Sequence, residues 1–368
     1  MSKWKKVKLG DLCDIQSGGT PSRSNKDYWV NGTVPWVKIG DIKSKYVEDT
    51  KEYITDLGLQ NSSAKLLDKG TILYTIFATL GETAILNIDA CTNQAIAGLK
   101  ITSGKVLTDF LFYFLISKKQ SVIEIGRGVA QNNINLSILK NMQVKLPPLD
   151  EQKKISNELD KTTDIITKRK IQLEKLDLLV KSRFIEMFGE PETNTKHWCI
   201  MKLADLCSVG SSKRVLQSEQ SNCGVPFLRV SDLVRRMDTD ELSSDLFITE
   251  ERFVNMNKHG QVPTEGDILV TSRGTLGRCY IWREKDRFYF QDGMISWLSK
   301  FSECITPAYI AFLFSMAGFR KQIDKLQAGS TVAYLSISMI RQLEVMVPDV
   351  ALQTQFSTFV HQVDKSKF

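Results

Sequence analysis

The sequence predicts an α+β fold: two tandem, duplicated mixed α/β domains joined by a long coiled-coil helix. Three observations carry this: an ordered repeat, a strand-and-turn pattern within each copy, and a heptad pattern between the copies. The repeat is the strongest. Trp4, Lys8, Leu9, Asp11, Leu12 and Cys13 recur as Trp198, Lys202, Leu203, Asp205, Leu206 and Cys207, 194 positions on. Val34, Pro35, Trp36, Lys38 and Asp41 return as Val225, Pro226, Phe227, Arg229 and Asp232, and the run from Asp68 to Gly81 returns from Thr264 to Gly277. Blocks that recur in the same order mark a duplicated domain, and a period this long excludes a solenoid. The domains are accordingly 1–149 and 189–349, with a spacer helix over 150–188 and a shortened second helix over 350–368.

Within the first copy, apolar runs bounded by Gly, Asn and Thr predict strands over 71–77, 84–87 and 95–101, then a helix over 108–125. The second copy repeats the plan with strands over 267–271, 279–283 and 294–298 and a helix over 307–326. Each helix is followed by a glycine loop, 128–135 and 329–336, and each copy closes with a strand ending at proline, Pro147 or Pro348.

The spacer gives the third observation. Stepping alternately by four and three from Ile155 meets Leu159, Ile166, Leu173, Leu176, Val180 and Met187, with Thr162, Arg169 and Arg183 filling the remaining positions. That is a coiled-coil seam of about five heptads, bounded by Pro147-Pro148 and by Gly189 and Pro191. At about 1.5 Å per residue the rod spans about 55 Å. In the second copy Gln353 matches Gln152 and Phe356 matches Ile155, but the helix stops at Phe368 after roughly five turns. The seam therefore calls for a further partner.

Composition narrows the function. The 368 residues are 42% hydrophobic and 25% charged, ordinary globular values. No apolar stretch is long enough to cross a membrane and no apolar segment follows the N-terminal lysines, so a soluble cytoplasmic protein is expected. The seven cysteines form no Cys-x-x-Cys pair, and Cys13 and Cys207, at equivalent positions, read as buried thiols. Net charge is +7; residues 1–149 carry 19 basic and 13 acidic side chains, residues 189–368 carry 21 of each. The excess suits a polyanion without proving one.

Catalytic material is scarce. His197, His259 and His361 are the only histidines and none lies in a repeated block. There is no His-Glu-x-x-His, no Gly-x-x-x-x-Gly-Lys-[Ser/Thr] and no Gly-x-Gly-x-x-Gly. Leu146-Pro147-Pro148-Leu149 lacks the amide and the ring that an amino-methyltransferase motif needs, and Asp150, Glu151 and Lys153 sit at a helix start where acids complement the dipole. No catalytic, cofactor-binding or metal-ligating residue is assigned.

Binding chemistry recurs instead. Gly18, Gly19, Thr20 and Ser22 follow the first strand, where backbone N–H groups and hydroxyls could approach a phosphate, or form a plain turn. Lys38 and Arg229 occupy one position, as a phosphate contact or as half of an ion pair with Asp41 or Asp232. The tips that follow keep Thr-Leu-Gly, with Thr79 matching Thr275, while Phe77 faces Arg273. Gln131, Asn132 and Asn133 are replaced around Tyr334. A constant frame with variable polar tips fits two readers of different sequences, since Arg suits guanine and Asn or Gln suits adenine.

Taken together, the paired W-x-x-[VM]-K-L-x-[DE]-[LI]-C blocks resemble the specificity subunit of type I restriction-modification enzymes. So do Ser17-Gly18-Gly19-Thr20-Pro21-Ser22 with Tyr28-Trp29, and Leu146-Pro147-Pro148-Leu149-Asp150-Glu151-Gln152 opening the long helix. The resemblance spans essentially the whole chain. It implies that each copy is a target recognition domain reading one half of a split double-stranded DNA site, and that the helices set the spacing and dock modification (methyltransferase) subunits. S-adenosylmethionine, ATP and Mg chemistry would belong to those and to the restriction (translocase and nuclease) subunit, with no cofactor on this chain. Two departures stand out. The second copy has Ser211-Ser212-Lys213-Arg214 in place of the Gly-Gly-Thr-Pro-Ser run, so charge from Lys213 and Arg214 would replace a phosphate nest. The short second helix calls for a second copy of the chain or another partner along the seam. The alternative reading is a non-catalytic coiled-coil scaffold whose copies bind protein.

Overall fold

The structure, a computed structural model, describes residues 4–127, 133–327 and 333–367. Its contacts divide the chain into two compact units, Met1–Arg169 and Lys170–Phe368, so the boundary falls inside the long helix.

In the first unit, strands Ile72–Thr75 and Thr83–Leu86 are buried along their whole length, which is why they read as continuous apolar runs rather than as alternating ones. They are central in a sheet ordered Cys13–Ser17, Ile96–Ile101, Ile72–Thr75, Thr83–Leu86 and Tyr46–Val47, antiparallel except for the last pair. A smaller sheet sets Val34–Val37 between Tyr53–Ile54 and Cys91–Thr92.

The second unit repeats both sheets. Ser208–Ser211, Ile295–Ser299, Ile268–Thr271 and Cys279–Ile281 form the larger, and Val225–Leu228 lies between Phe247–Ile248 and Tyr289–Phe290 in the smaller. Cys13 and Cys207 are both buried, and that burial pushes each thiol up to about 12.

The units differ after the middle strand of the small sheet. Asp41 and Asp232 each accept a hydrogen bond from the backbone N–H three residues back, on Lys38 at 2.9 Å and on Arg229 at 3.0 Å, opening a helical turn. In the first unit that turn ends at once, at Ile39–Asp41; in the second it continues as the helix Val230–Thr239. Gly40 and Ile42 disfavour continuation, whereas Leu233, Arg235, Arg236 and Met237 favour it. The sequence pattern did not reveal this helix.

The helices expected over 108–125 and 307–326 are each two helices: Thr108–Ser117 with Lys119–Arg127, and Pro307–Leu313 with Ala317–Leu326. At each break stands a serine, the last helical residue in one case and inside the break in the other, whose hydroxyl donates to the carbonyl three residues earlier, Ser117 to Phe114 at 2.7 Å and Ser315 to Phe312 at 2.6 Å. That local bond competes with the helical ladder, and an apolar pattern does not register it.

The first and last strands of each copy pair with one another. Lys5–Lys8 runs antiparallel to Gln143–Leu146, and Cys199–Lys202 to Glu344–Val347. The departing strand leads directly into a helix locked by a buried glutamine. Gln152 accepts from Leu107 N at 2.9 Å and donates to Lys105 O and Pro147 O, each at 2.9 Å. Gln353 does the same with Thr306 N at 2.8 Å, Cys304 O at 3.0 Å and Pro348 O at 2.8 Å.

The helix so launched from the first copy runs from Leu149 to Phe188, 40 residues, about 60 Å. The C-terminal helix Val350–Lys365 lies antiparallel to its last turns: Lys367 pairs with Asp177 at 2.8 Å, while Phe356 meets Phe184 and Phe188 with ring centroids 5.4 and 5.5 Å apart. Of the expected seam, Val180 is buried, Leu173, Leu176 and Met187 are half-buried, and Ile155 packs against the first core. Leu159 (39%) and Ile166 (51%) remain exposed. So do Ile165 and Leu178, off the seam, at 68% and 63%. Trp198 caps the helix end, its Nε1 donating to Phe188 O at 2.9 Å; Trp4 Nε1, its repeat equivalent, is buried with no partner among the described residues.

Near its start the long helix is tied to the first copy by charge. Lys45 Nζ lies 2.7 Å from Asp109 and 2.6 Å from Asp160, and Tyr113 donates to Asp160 at 2.6 Å. Burial works against the Asp160 carboxylate, but the Lys45 and Tyr113 donors more than offset it and hold its pKa below the ordinary range. A carboxyl so depressed stabilises the fold above its unfolded pKa of about 3.9 and ceases to as pH falls through the lower folded value. In urea titrations the first unit of Asp160→Asn is expected to unfold at lower urea than wild type at pH 7, the gap narrowing as pH falls below about 4. A gap that persists unchanged in strong acid refutes this role.

Candidate nucleic-acid interface

The same loop construction occurs in both copies. In the second, the turn between strands Ile268–Thr271 and Cys279–Ile281 is fixed by Gly277 N donating to Thr271 O at 2.8 Å and by the Thr271 hydroxyl, which donates to Thr275 O and accepts from Arg278 N at 3.0 Å. In the first, Gly81 N, the Thr75 hydroxyl, Thr79 O and Glu82 N make the same set. Gly274 and Gly277 have φ of +69°, and the matching residues Ala78 and Gly81 have +59° and +82°. At Ala78 the first copy holds a left-handed conformation that glycine adopts without strain.

A second segment lies against each turn. Ile134 N donates to Ile76 O at 3.0 Å, pairing Asn133 with Phe77; Leu335 N donates to Ser272 O at 3.0 Å, pairing Tyr334 with Arg273. The structure thus brings together the tip and loop residues that the repeat singled out. Phe77, Ala78 and Thr79 are exposed in one copy, Arg273, Gly274 and Thr275 in the other. The Arg273 guanidinium lies 5.2 Å from the Tyr334 ring centroid. Gln131 and Asn132 lie outside the described residues. Asn135 and Ser336, just beyond, are helix caps, accepting from Ile138 N at 2.9 Å and Met339 N at 3.1 Å.

The repeated cation resolves differently in each copy. Arg229 pairs with Asp232 at 3.2 Å, whereas the Lys38 side chain reaches Glu52 and Lys38 meets Asp41 through its backbone. Lys38, as the leading cause, holds the Glu52 carboxyl below its usual range. Arg23, also paired with Glu52, stacks 3.6 Å from the Trp29 ring centroid.

The glycine run is not an open nest. Gly18 N donates to Ile96 O at 3.0 Å and Gly19 N to Thr92 O at 2.9 Å, so neither amide is available to a phosphate. A Cβ on Gly18 would lie 2.2 Å from Thr92 O, so these glycines serve a close backbone crossing. Thr20 donates to Gln94, and Ser22 shares a hydrogen bond with Ser24 at 2.8 Å. In the second copy Ser212 Oγ donates to Phe290 O at 2.8 Å and the Tyr289 hydroxyl accepts from Lys213 N at 2.8 Å, leaving the Lys213 and Arg214 side chains exposed.

Most arginines of the second unit are bound to acids or carbonyls. Among the described residues of that unit, the guanidinium groups of Arg214 and Arg273 alone make neither an ion pair nor a hydrogen bond. Arg273, Thr275 and Arg229 border a shallow groove of about 410 Å³, together with Gln291, Val234 and Met294. Sequence reasoning missed Gln291, which follows the strand Tyr289–Phe290 just as Asn93 follows Cys91–Thr92; aligning the copies through that strand would have found it. Among the described residues no group of His, Cys, Asp and Glu comes together as a metal site would require, and no helix is long and apolar enough to cross a membrane.

Comparison with known proteins supplies the context for this paired construction. The sequence model of the family described as type I restriction modification DNA specificity domain matches twice, over residues 1–175 and 195–368. The type I restriction enzyme MjaIX specificity subunit of Methanocaldococcus jannaschii is 26% identical over 97% of this chain and 86% of its own length. The MjaVIII specificity subunit of the same organism is 23% identical over 98% and 86%. The crystal structure of a type I restriction-modification S subunit from M. genitalium has the same fold, with a TM-score of 0.59 at 17% identity, covering 99% of this chain and 90% of that one.

Proposed function

Because the chain belongs to the type I restriction modification DNA specificity family, we propose that it is the sequence-specific DNA recognition subunit of such an enzyme, each copy reading one half of a bipartite site. The observation that carries the proposal is the paired loop cluster: one backbone frame presents Phe77, Thr79 and Asn133 in one copy and Arg273, Thr275 and Tyr334 in the other. Identical frames with different tips suit two different target sequences. Lys213, Arg214 and the outer edge of Arg229 serve as backbone contacts, which position without specifying.

The long helix and the Val350–Lys365 helix hold the spacing and receive modification subunits, and the exposed Leu159, Ile165, Ile166 and Leu178 support a further helical partner there, a second copy of this chain included. Light scattering on the isolated chain is expected to show a mass above the 41.7 kDa of one copy at micromolar concentration. A monomer whose long helix is fully protected from hydrogen exchange refutes that. Methyl transfer and ATP-dependent cleavage belong to partner subunits, where S-adenosylmethionine, ATP and Mg would bind.

Binding to duplex DNA is expected to weaken steeply with salt, log affinity falling linearly with log salt concentration. Binding insensitive to salt would favour the scaffold reading. Arg273→Ala is expected to relax base preference in one half-site by roughly 1–3 kcal/mol and leave the other half-site unchanged. Methylome sequencing of cells expressing the variant with its modification partner measures this; uniform weakening over all sequences would make Arg273 a phosphate contact.

A further inference from the structure

We propose that Gln291 is a base-reading residue of the second copy, its side-chain amide taking the adenine of a base pair adjacent to the one contacted by Arg273. The proposal rests on the DNA-recognition reading above and names one determinant of its specificity.

Gln291 is the first residue after the strand Tyr289–Phe290, which pairs in parallel with Val225–Leu228, and its backbone N–H donates to Leu228 O at 3.0 Å. Its Cα is therefore held by the sheet and not by a loop. Its side chain borders the groove beside Arg273, is half-buried, and makes no hydrogen bond among the described residues. Solvent reaches the amide in the groove, so its donor and acceptor stand open to a ligand that replaces that water. The repeat provides an internal control. Asn93 stands at the same place in the first copy, its N–H donating to Val37 O at 3.1 Å, but its Oδ1 accepts from Ala95 N at 3.1 Å and so serves a local turn. Gln291 makes no such turn bond, and its longer side chain lines the groove.

What the groove presents fits one ligand class. A carboxamide offers a donor and an acceptor side by side, the pattern that adenine shows in the major groove through N7 and its amino group. Val230, Val234 and Met294 line the same groove and give an apolar surface for the thymine methyl of that pair. Arg273, free of any acid, offers the fork that guanine takes.

The test is selection from a randomised duplex library by the full chain bound to its modification subunits, reading base preference at every position of both half-sites. Wild type should select an adenine at one position of the half-site read by the second copy. Gln291→Ala should lower that preference roughly 5- to 150-fold and leave the other half-site intact. Gln291→Glu, of the same size, should shift the preference at that position toward cytosine, whose amino group a carboxylate accepts. The proposal is overturned if both variants keep the wild-type preference, or if both weaken all sequences equally. Should the alanine variant not fold, the glutamate variant alone decides. A wild-type complex that selects no sequence would instead refute the recognition reading.

Discussion

Phe184→Ala is expected to destabilise the second unit by about 3–5 kcal/mol, the usual cost of emptying an aromatic site in a packed core. Phe184 is fully buried and touches four rings: Phe188 at 4.9 Å, Phe312 at 5.3 Å, Phe356 at 5.4 Å and Tyr309 at 5.6 Å between centroids. These come from the end of the long helix, the helix Pro307–Leu313 and the C-terminal helix, so the truncation loosens all three at once. Urea unfolding followed by tryptophan fluorescence checks it. The midpoint of the second unit should fall sharply while that of the first stays put. Loss of far-ultraviolet helical signal at lower denaturant than the sheet signal would show the C-terminal helix leaving first. A shift under about 1 kcal/mol would mean that the cluster repacks around the gap.

Gln152→Leu is expected to cost the first unit about 3–5 kcal/mol as well, through a different mechanism. Leucine fits the volume but leaves Leu107 N, Lys105 O and Pro147 O without their partner. Each buried group left unpaired costs about 1–3 kcal/mol. Gln353→Leu should produce the mirror image, unfolding the second unit early and sparing the first. The pair of variants is diagnostic because the three partners are equivalent in the two copies. If both variants shift both transitions equally, the units do not unfold separately and the glutamines are not local locks.

Much of this fold was legible because apolar patterning survives duplication. The strands around Ile72, Thr83, Ile96, Ile268 and Ile295 and the long helix all lie where the pattern placed them. What the pattern lost are features set by single polar contacts. Each break is accompanied by a local serine hydroxyl bond, at Ser117 and Ser315, and the helix Val230–Thr239 grows from a turn that the first copy ends after three residues. At the candidate interface, aligning the copies singled out Arg273 and Tyr334 separately, and only the structure sets them side by side. Whether Lys38 and Arg229 meet the acid three residues on did not follow from the alignment either, because Glu52, some distance away in sequence, competes for Lys38. The glycine run misled for a related reason. Glycines that let a ligand approach and glycines that let a neighbouring strand approach look alike in one dimension.

The pairing of each copy's first strand with its last has a consequence for how such a protein can change over generations. Because Lys5 lies opposite Leu146 and Cys199 opposite Val347, each copy begins and ends at one point. Whatever lies between those strands can be replaced by a homologous stretch of different length without moving the start of the following helix, since ends already side by side make few demands on the exchange. The glutamine lock travels with the helix and needs only backbone groups from the incoming copy, one N–H among them, which any residue but proline supplies. A new target preference can therefore arise in one recombination event, as an exchanged cassette, with no intermediate in which the helix must be redesigned.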